Sequence, residues 1–130
     1  MSDKFDNFVD GYLDAVLWVG VSQMYGDEYT SEDIRSDYLS SEEAFDDKCL
    51  EEILVDCDNF FEEASKFIEI DGTDADTMQR AGADFFLTRN GHGAGFWDGG
   101  WTEGDVLTTI AEPYGSTDYT LDDNTLLVYC

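Results

Sequence analysis

The chain has 130 residues and carries 31 Asp and Glu against 6 Lys and Arg, a formal charge of −25. Such an excess repels itself in the compact state. It also excludes direct contact with nucleic acid, which needs Lys and Arg to neutralise phosphates, and with an anionic membrane surface. Disorder is excluded as well, because 42% of the residues are hydrophobic, 15% are aromatic and one is Pro, enough apolar surface to build one modest core.

Residues 5–25 read as a helix. Phe5, Phe8, Val9, Tyr12, Leu13, Val16 and Leu17 recur at the spacing of one helical face. Asp3 suits the cap and Gly26 the end, while Asp6, Asp10 and Asp14 form an acidic line on the other side. Residues 25–41 are polar and loop-like, contain Tyr25, Tyr29 and Tyr38, and have room for one helical turn at 31–36. The longest periodic run, 42–69, predicts a second helix. Its apolar face is Phe45, Cys49, Leu50, Ile53, Leu54, Cys57, Phe60, Phe61, Ala64, Phe67 and Ile68. Its acidic face is Glu42, Glu43, Asp46, Asp47, Glu51, Glu52, Asp56, Asp58, Glu62 and Glu63.

Asp71-Gly72-Thr73 breaks the chain. Residues 74–90 predict a third helix with Met78, Ala81, Gly82, Phe85 and Phe86 on one face and Gly91 after its end. The competing reading is a break at Gly82 and a strand at 85–88. Residues 92–100 are rich in glycine, with room for a short strand at Phe96. Residues 103–112 predict a fourth helix, apolar at Val106, Leu107, Ile110 and Ala111 and ended by Pro113 and Gly115. Residues 119–121 and 126–129 read as a hairpin about Asp122-Asp123-Asn124-Thr125. The fold class expected is α+β in a single domain, 1–130: three to four helices packed with a small C-terminal antiparallel β-sheet.

The charge is uneven. Residues 1–76 hold 23 acids and 4 bases, whereas 77–130 hold 8 and 2, so the helical N-terminal part carries the field. Charged helix faces are ordinarily just solvated, and they then mix signs and gain i, i+4 ion pairs. This chain instead places like charges at that spacing (Asp6, Asp10 and Asp14; Glu43, Asp47 and Glu51), which costs a few tenths of a kcal/mol per pair. Over 42–69 the net charge is −9 along roughly 42 Å of helix. Duplex DNA shows about one charge per 1.7 Å of axis, or 3.4 Å per strand. Two or three such acidic elements side by side approach that density, which points to a DNA-mimic surface offered to a basic groove. Halophilic adaptation is a rival source of the charge, although salt-adapted chains usually carry fewer large aromatics.

The run Arg89-Asn90-Gly91-His92-Gly93-Ala94-Gly95-Phe96-Trp97-Asp98 holds the only His. As a catalytic site it would use His92 as general base and Asp98 to orient it. As a structural motif it would be a tight turn, with Arg89 paired to an acid and Phe96-Trp97 anchoring the core, and this second reading is preferred. It does not fit a nucleotide loop, since G-x-G-x-x-G spacing fails and no Lys-Ser/Thr follows. No C-x₂₋₄-C pair exists for zinc, and Asp71, Asp74 and Asp76 do not fit a calcium loop, so no metal or cofactor is expected. The three cysteines (Cys49, Cys57 and Cys130) are odd in number and lack framework spacing, which predicts free thiols in a reducing compartment. No signal peptide or membrane span is expected.

The stretch Phe86-Leu87-Thr88-Arg89-Asn90-Gly91-His92-Gly93-Ala94-Gly95-Phe96-Trp97-Asp98 resembles a segment of small acidic tailed-bacteriophage proteins. Ala15-Val16-Leu17-Trp18, Asp56-Cys57-Asp58-Asn59-Phe60 and Pro113-Tyr114-Gly115 are similar to the same group. The chain departs from it at Gly99-Gly100, where a basic residue often follows the Asp, and in being more acidic. The resemblance implies phage origin and expression in the cytoplasm of a bacterial host, and it brings no activity with it. The expected function is inhibition of a host DNA-binding protein of restriction, CRISPR, repair or other defence. The contact acids would be Asp6, Asp10, Asp14 and those of the second helix, with Tyr25, Tyr29 and Tyr38 adding stacking. The expectation is not an enzyme; a homodimer is compatible. A non-mimic regulator acting through the Gly-rich aromatic segment is the alternative, ahead of a small enzyme using His92.

Overall fold

A computed structural model describes residues 3–17, 45–91, 94–117, 119–121 and 128–129. Four α-helices carry the fold among them: α1 (Asp3–Ala15), α2 (Asp47–Ile68), α3 (Ala75–Arg89) and α4 (Gly104–Ala111). A 3₁₀ turn, Glu112–Tyr114, follows α4, with Pro113 near its start.

Each helix follows from its sequence. Along α1, Phe8, Val9, Tyr12 and Leu13 are buried, and Val16 and Leu17 continue inward in a wider π turn. The remainder of the predicted 5–25 helix, the turn at 31–36 and Tyr25, Tyr29 and Tyr38 lie outside the described residues. Along α2 the buried positions are Cys49, Ile53, Cys57, Phe60, Ala64 and Ile68, one narrow stripe at helical spacing. Its start is Asp47 rather than the predicted Glu42. Asp46 caps it, accepting from the backbone N–H groups of Lys48 (3.2 Å) and Cys49 (3.4 Å). Phe45 instead forms a parallel bridge with Val128.

Asp74 caps α3 through Thr77 N–H (3.2 Å) and accepts from the Thr77 hydroxyl (2.6 Å). The helix runs unbroken through Gly82, so the alternative strand at 85–88 is not formed. Gly82 has a packing role. A Cβ there would overlap the Phe8 carbonyl oxygen and lie 2.8 Å from the Tyr12 nitrogen. On the facing side a Cβ on Gly11 would lie 2.7 Å from Gln79 Cα. The two glycines let α1 and α3 meet backbone to backbone.

The core formed between these helices is largely aromatic. Phe60 and Phe85 stack at 4.1 Å, Phe8 lies against both, and Tyr114 meets them edge-on. Phe96 adds a further stacked ring and contacts Trp101.

The expectation of an α+β fold is corrected to an α-rich one. The only β-ladder among the described residues pairs β1 (Thr120–Leu121) with β2 (Val128–Tyr129), antiparallel, in the register Thr120 to Tyr129 and Leu121 to Val128. Two residues per strand do not make a layer. The predicted hairpin turn lies outside the described residues. The short strand expected at Phe96 is a turn, because Phe96 N–H donates to the Thr88 hydroxyl (3.1 Å) instead of to a neighbouring strand.

The cysteines are a second correction. Cys57 is free and buried, but Cys49 is disulfide-bonded, with a partner outside the described residues. Sequence spacing missed the approach of the C-terminal strand to the start of α2, where Asp46 N–H donates to the Val128 carbonyl at 2.8 Å. The inference from cysteine usage to a reducing compartment falls with it.

Candidate functional site

The acids divide into those the fold uses and those it leaves on the surface. Asp46 and Asp74 are helix caps. Asp71 accepts from the Thr102 hydroxyl (2.7 Å) and N–H (3.1 Å), tying the loop after α2 to the start of α4. Glu69 pairs with Lys4 at 3.2 Å. Asp84 accepts from Trp101 Nε1 at 2.7 Å; burial raises its carboxyl above the ordinary range, Trp101 and Arg80 oppose the rise, and Asp98 adds to it.

Asp56 belongs to the same group. It faces Arg89, whose Nη1 donates to Asp56 Oδ2 at 2.9 Å. Arg89 is only 7% exposed. Its Nε donates to the Gly115 carbonyl (2.9 Å), its Nη2 to the Tyr114 carbonyl (3.1 Å) and its Nη1 also to the Tyr12 hydroxyl (3.3 Å). Its guanidinium lies over the rings of Phe85 and Tyr114. Tyr12 and Tyr119 share a buried hydroxyl contact of 2.8 Å, and burial pushes both phenols up. Burial works against the charge on Arg89, but the Tyr12 hydroxyl and Asp56 outweigh it and keep its pKa raised. This cluster joins α1, α2, α3 and the segment after α4.

Among the described residues of the glycine-rich motif, Asn90 and Phe96 are also bonded to the fold. Asn90 Nδ2 donates to the Phe86 carbonyl, and Thr117 N–H donates to Asn90 Oδ1 (2.9 Å). Gly91 follows α3 with φ 67°. Gly95 N–H donates to Asp98 Oδ1 (3.0 Å); Phe96 anchors the core as expected, but the same expectation for Trp97 is corrected, since it is 54% exposed. His92 and Gly93 lie outside the described residues. Burial also drives the Cys57 thiol far up, which removes it as a nucleophile. Among the described residues no group of three or more His, Cys, Asp and Glu is arranged to hold a metal.

What remains is the outer surface of α2. Asp47, Glu51, Glu52, Asp58, Glu62 and Glu63 are exposed and enter no ion pair among the described residues. At about 100° per residue, Asp47, Glu51, Asp58 and Glu62 fall within about 60° of one another, in a row about 22 Å long. Glu52, Asp56 and Glu63 form a second row about 130° round the axis, roughly 10 Å away across the helix. Lys48, Val55, Asn59 and Lys66 occupy the strip between. The longer row carries one carboxylate per about 7 Å, half the linear density of a phosphate strand. Asp6 and Asp10 are exposed on α1 and Asp14 is half-buried. Glu42 and Glu43 lie outside the described residues.

Two hollows flank this ridge. One of about 460 Å³ is lined by Lys48, Glu51, Glu52, Val55, Asp56 and Tyr119, among others. The other, about 450 Å³, lies between α2 and the start of α1, against Phe5, Leu50, Leu54 and Val55. The apolar contacts expected beside the acids were Tyr25, Tyr29 and Tyr38, which lie outside the described residues; none was expected from α2 itself. The signal was present in Val55, an apolar residue out of phase with the buried stripe and 54% exposed.

The chain matches no protein-family model, no curated protein and no solved structure.

Proposed function

We propose that the chain is a phage-type DNA-mimic inhibitor whose α2 ridge occupies the basic groove of a host DNA-binding protein. The observation that carries this reading is the set of exposed carboxylates, Asp47, Glu51, Glu52, Asp58, Glu62 and Glu63, ordered in rows and left without cationic partners among the described residues. A fold that needed only solubility would mix signs and gain i, i+4 pairs. On α2 the like-charge spacings Asp47 to Glu51, Glu52 to Asp56 and Asp58 to Glu62 outnumber the opposite-charge ones, Lys48 to Glu52 and Glu62 to Lys66, and neither lysine forms an ion pair among the described residues. Carboxylates at successive rises of about 6, 10 and 6 Å are offered to the Lys and Arg of a phosphate-binding groove, and the net charge of −25 steers the encounter. The target would be a restriction, CRISPR, repair or other defence enzyme. No described helix is long and apolar enough to cross a membrane.

The test is capture of proteins from bacterial lysate at low and high salt, with duplex DNA as competitor. DNA-binding proteins should be retained at low salt and released by either treatment. Lys at Glu51, Asp58 and Glu62 should abolish retention, whereas capture that survives this reversal ends the reading. Asp46 and Asp56 are unsuitable for the test, because one caps α2 and the other pairs with Arg89. The exposed Trp97 favours a second reading, a regulator that binds through the glycine-rich turn. Trp97→Ala should then remove binding that the charge reversals leave intact.

A further inference from the structure

We propose that the hollow between α1 and α2 seats the apolar stripe of a basic amphipathic helix, with Asp47, Glu51 and Asp58 receiving its flanking Lys or Arg. This rests on the reading of α2 as the contact face and adds that recognition is not purely electrostatic.

The hollow has an apolar base and an acidic edge. Phe5, Leu50 and Leu54 supply the base and Val55 stands beside it, and among the described residues every charged one lining it is an acid. It is shallow and open to solvent, so it suits the side of a helix laid along it and not a single inserted side chain. The charge selects among occupants. A second copy would bring its own carboxylates against Asp47, Glu51 and Asp58, and a nucleic acid or anionic bilayer would be repelled. A helix that alternates apolar and basic residues satisfies both base and edge. The length agrees, since Asp47 and Asp58 are about 16 Å apart along α2, about three turns of a helix laid beside it and enough for anchors at i, i+4 and i+7. The apolar anchors also answer a problem of affinity. Exposed ion pairs are screened by salt, and apolar burial is not.

The probe is a synthetic peptide of about 18 residues with Leu along one helical face and Lys elsewhere, paired with a scrambled isomer of identical composition. The patterned peptide should bind about tenfold tighter than the scramble and keep measurable affinity at about 0.5 M NaCl. Its binding should shift the methyl signals of Leu50, Leu54 and Val55. Val55→Ser, at an exposed position that the fold does not need, should weaken the patterned peptide about fivefold and leave the scramble unchanged. Asn at Asp47, Glu51 and Asp58 together should weaken both peptides. Equal binding of the two peptides, with both weakened by the Asn variant, overturns the hollow as an anchor and leaves the acidic face standing. If the Asn variant affects neither peptide, the acidic face fails too. Methyl shifts confined to another surface, or no binding by the patterned peptide, also overturn the proposal.

Discussion

Gly82→Ala tests the closest contact in the fold. In an isolated helix this change stabilises by about 1 kcal/mol, through propensity and reduced freedom of the unfolded chain. Here the added methyl would overlap the Phe8 carbonyl oxygen and lie 2.8 Å from the Tyr12 nitrogen. Both neighbours are backbone atoms of α1 and cannot rotate aside, so the helices must separate by about 1 Å. Overpacking of this kind costs about 1–3 kcal/mol, occasionally more. The separation also loosens Phe8 and Tyr12, which are fully buried. A net loss of about 2 kcal/mol is expected, or about 6–10 °C in Tm for a domain of this size. Urea unfolding followed by circular dichroism measures it. Gly11→Ala on the facing helix should cost a similar amount, and the double variant should cost less than the sum, because the helices need separate only once. A rise in Tm for Gly82→Ala, as in an ordinary solvated helix, would refute the backbone contact.

Three further outcomes can be measured by the same methods. Arg89→Met should destabilise by about 2–4 kcal/mol, since it strands the Tyr114 and Gly115 carbonyls and leaves Asp56 without its cation. Arg89→Lys should recover little, because an ammonium cannot reach the four acceptors that the planar fork does. Asp84→Asn, which keeps an acceptor for Trp101 Nε1, should be more stable than the parent at pH 7. The folded carboxyl holds its proton more tightly than the unfolded one, so its stabilising contribution is full below the unfolded pKa and is lost as pH rises through the folded pKa. The advantage of the Asn variant should therefore fade as pH falls through the carboxylate range; a pH-independent difference would show that burial at Asp84 is not the cause. Lys at Glu51 and Asp58 should raise Tm slightly at low salt by relieving like-charge neighbours, while weakening partner binding. A parent chain that unfolds in low salt would instead point to halophilic adaptation.

Much of this molecule follows from local pattern. The 3.6-residue recurrence of Phe8, Tyr12, Ile53, Cys57, Phe60 and Phe85 marks the buried faces of α1, α2 and α3 without any knowledge of what covers them. The surplus of carboxylates, and its concentration in residues 1–76, is a count along the chain. Sequence could not assign each acid its task, because caps and ion pairs depend on where the chain returns. Asp46 became a cap only because Phe45 turned aside to Val128. Asp56 met Arg89, 33 residues on, because α2 and α3 meet at the stacked rings of Phe60 and Phe85. The same applies to the disulfide at Cys49 and to the fit of Gly11 against Gln79. Periodicity is a property of neighbours on one helix and can be read from a string of letters. Which helices meet, and at what distance, is fixed by packing among residues far apart in the chain, so only the tertiary structure decided which carboxylates stayed exposed.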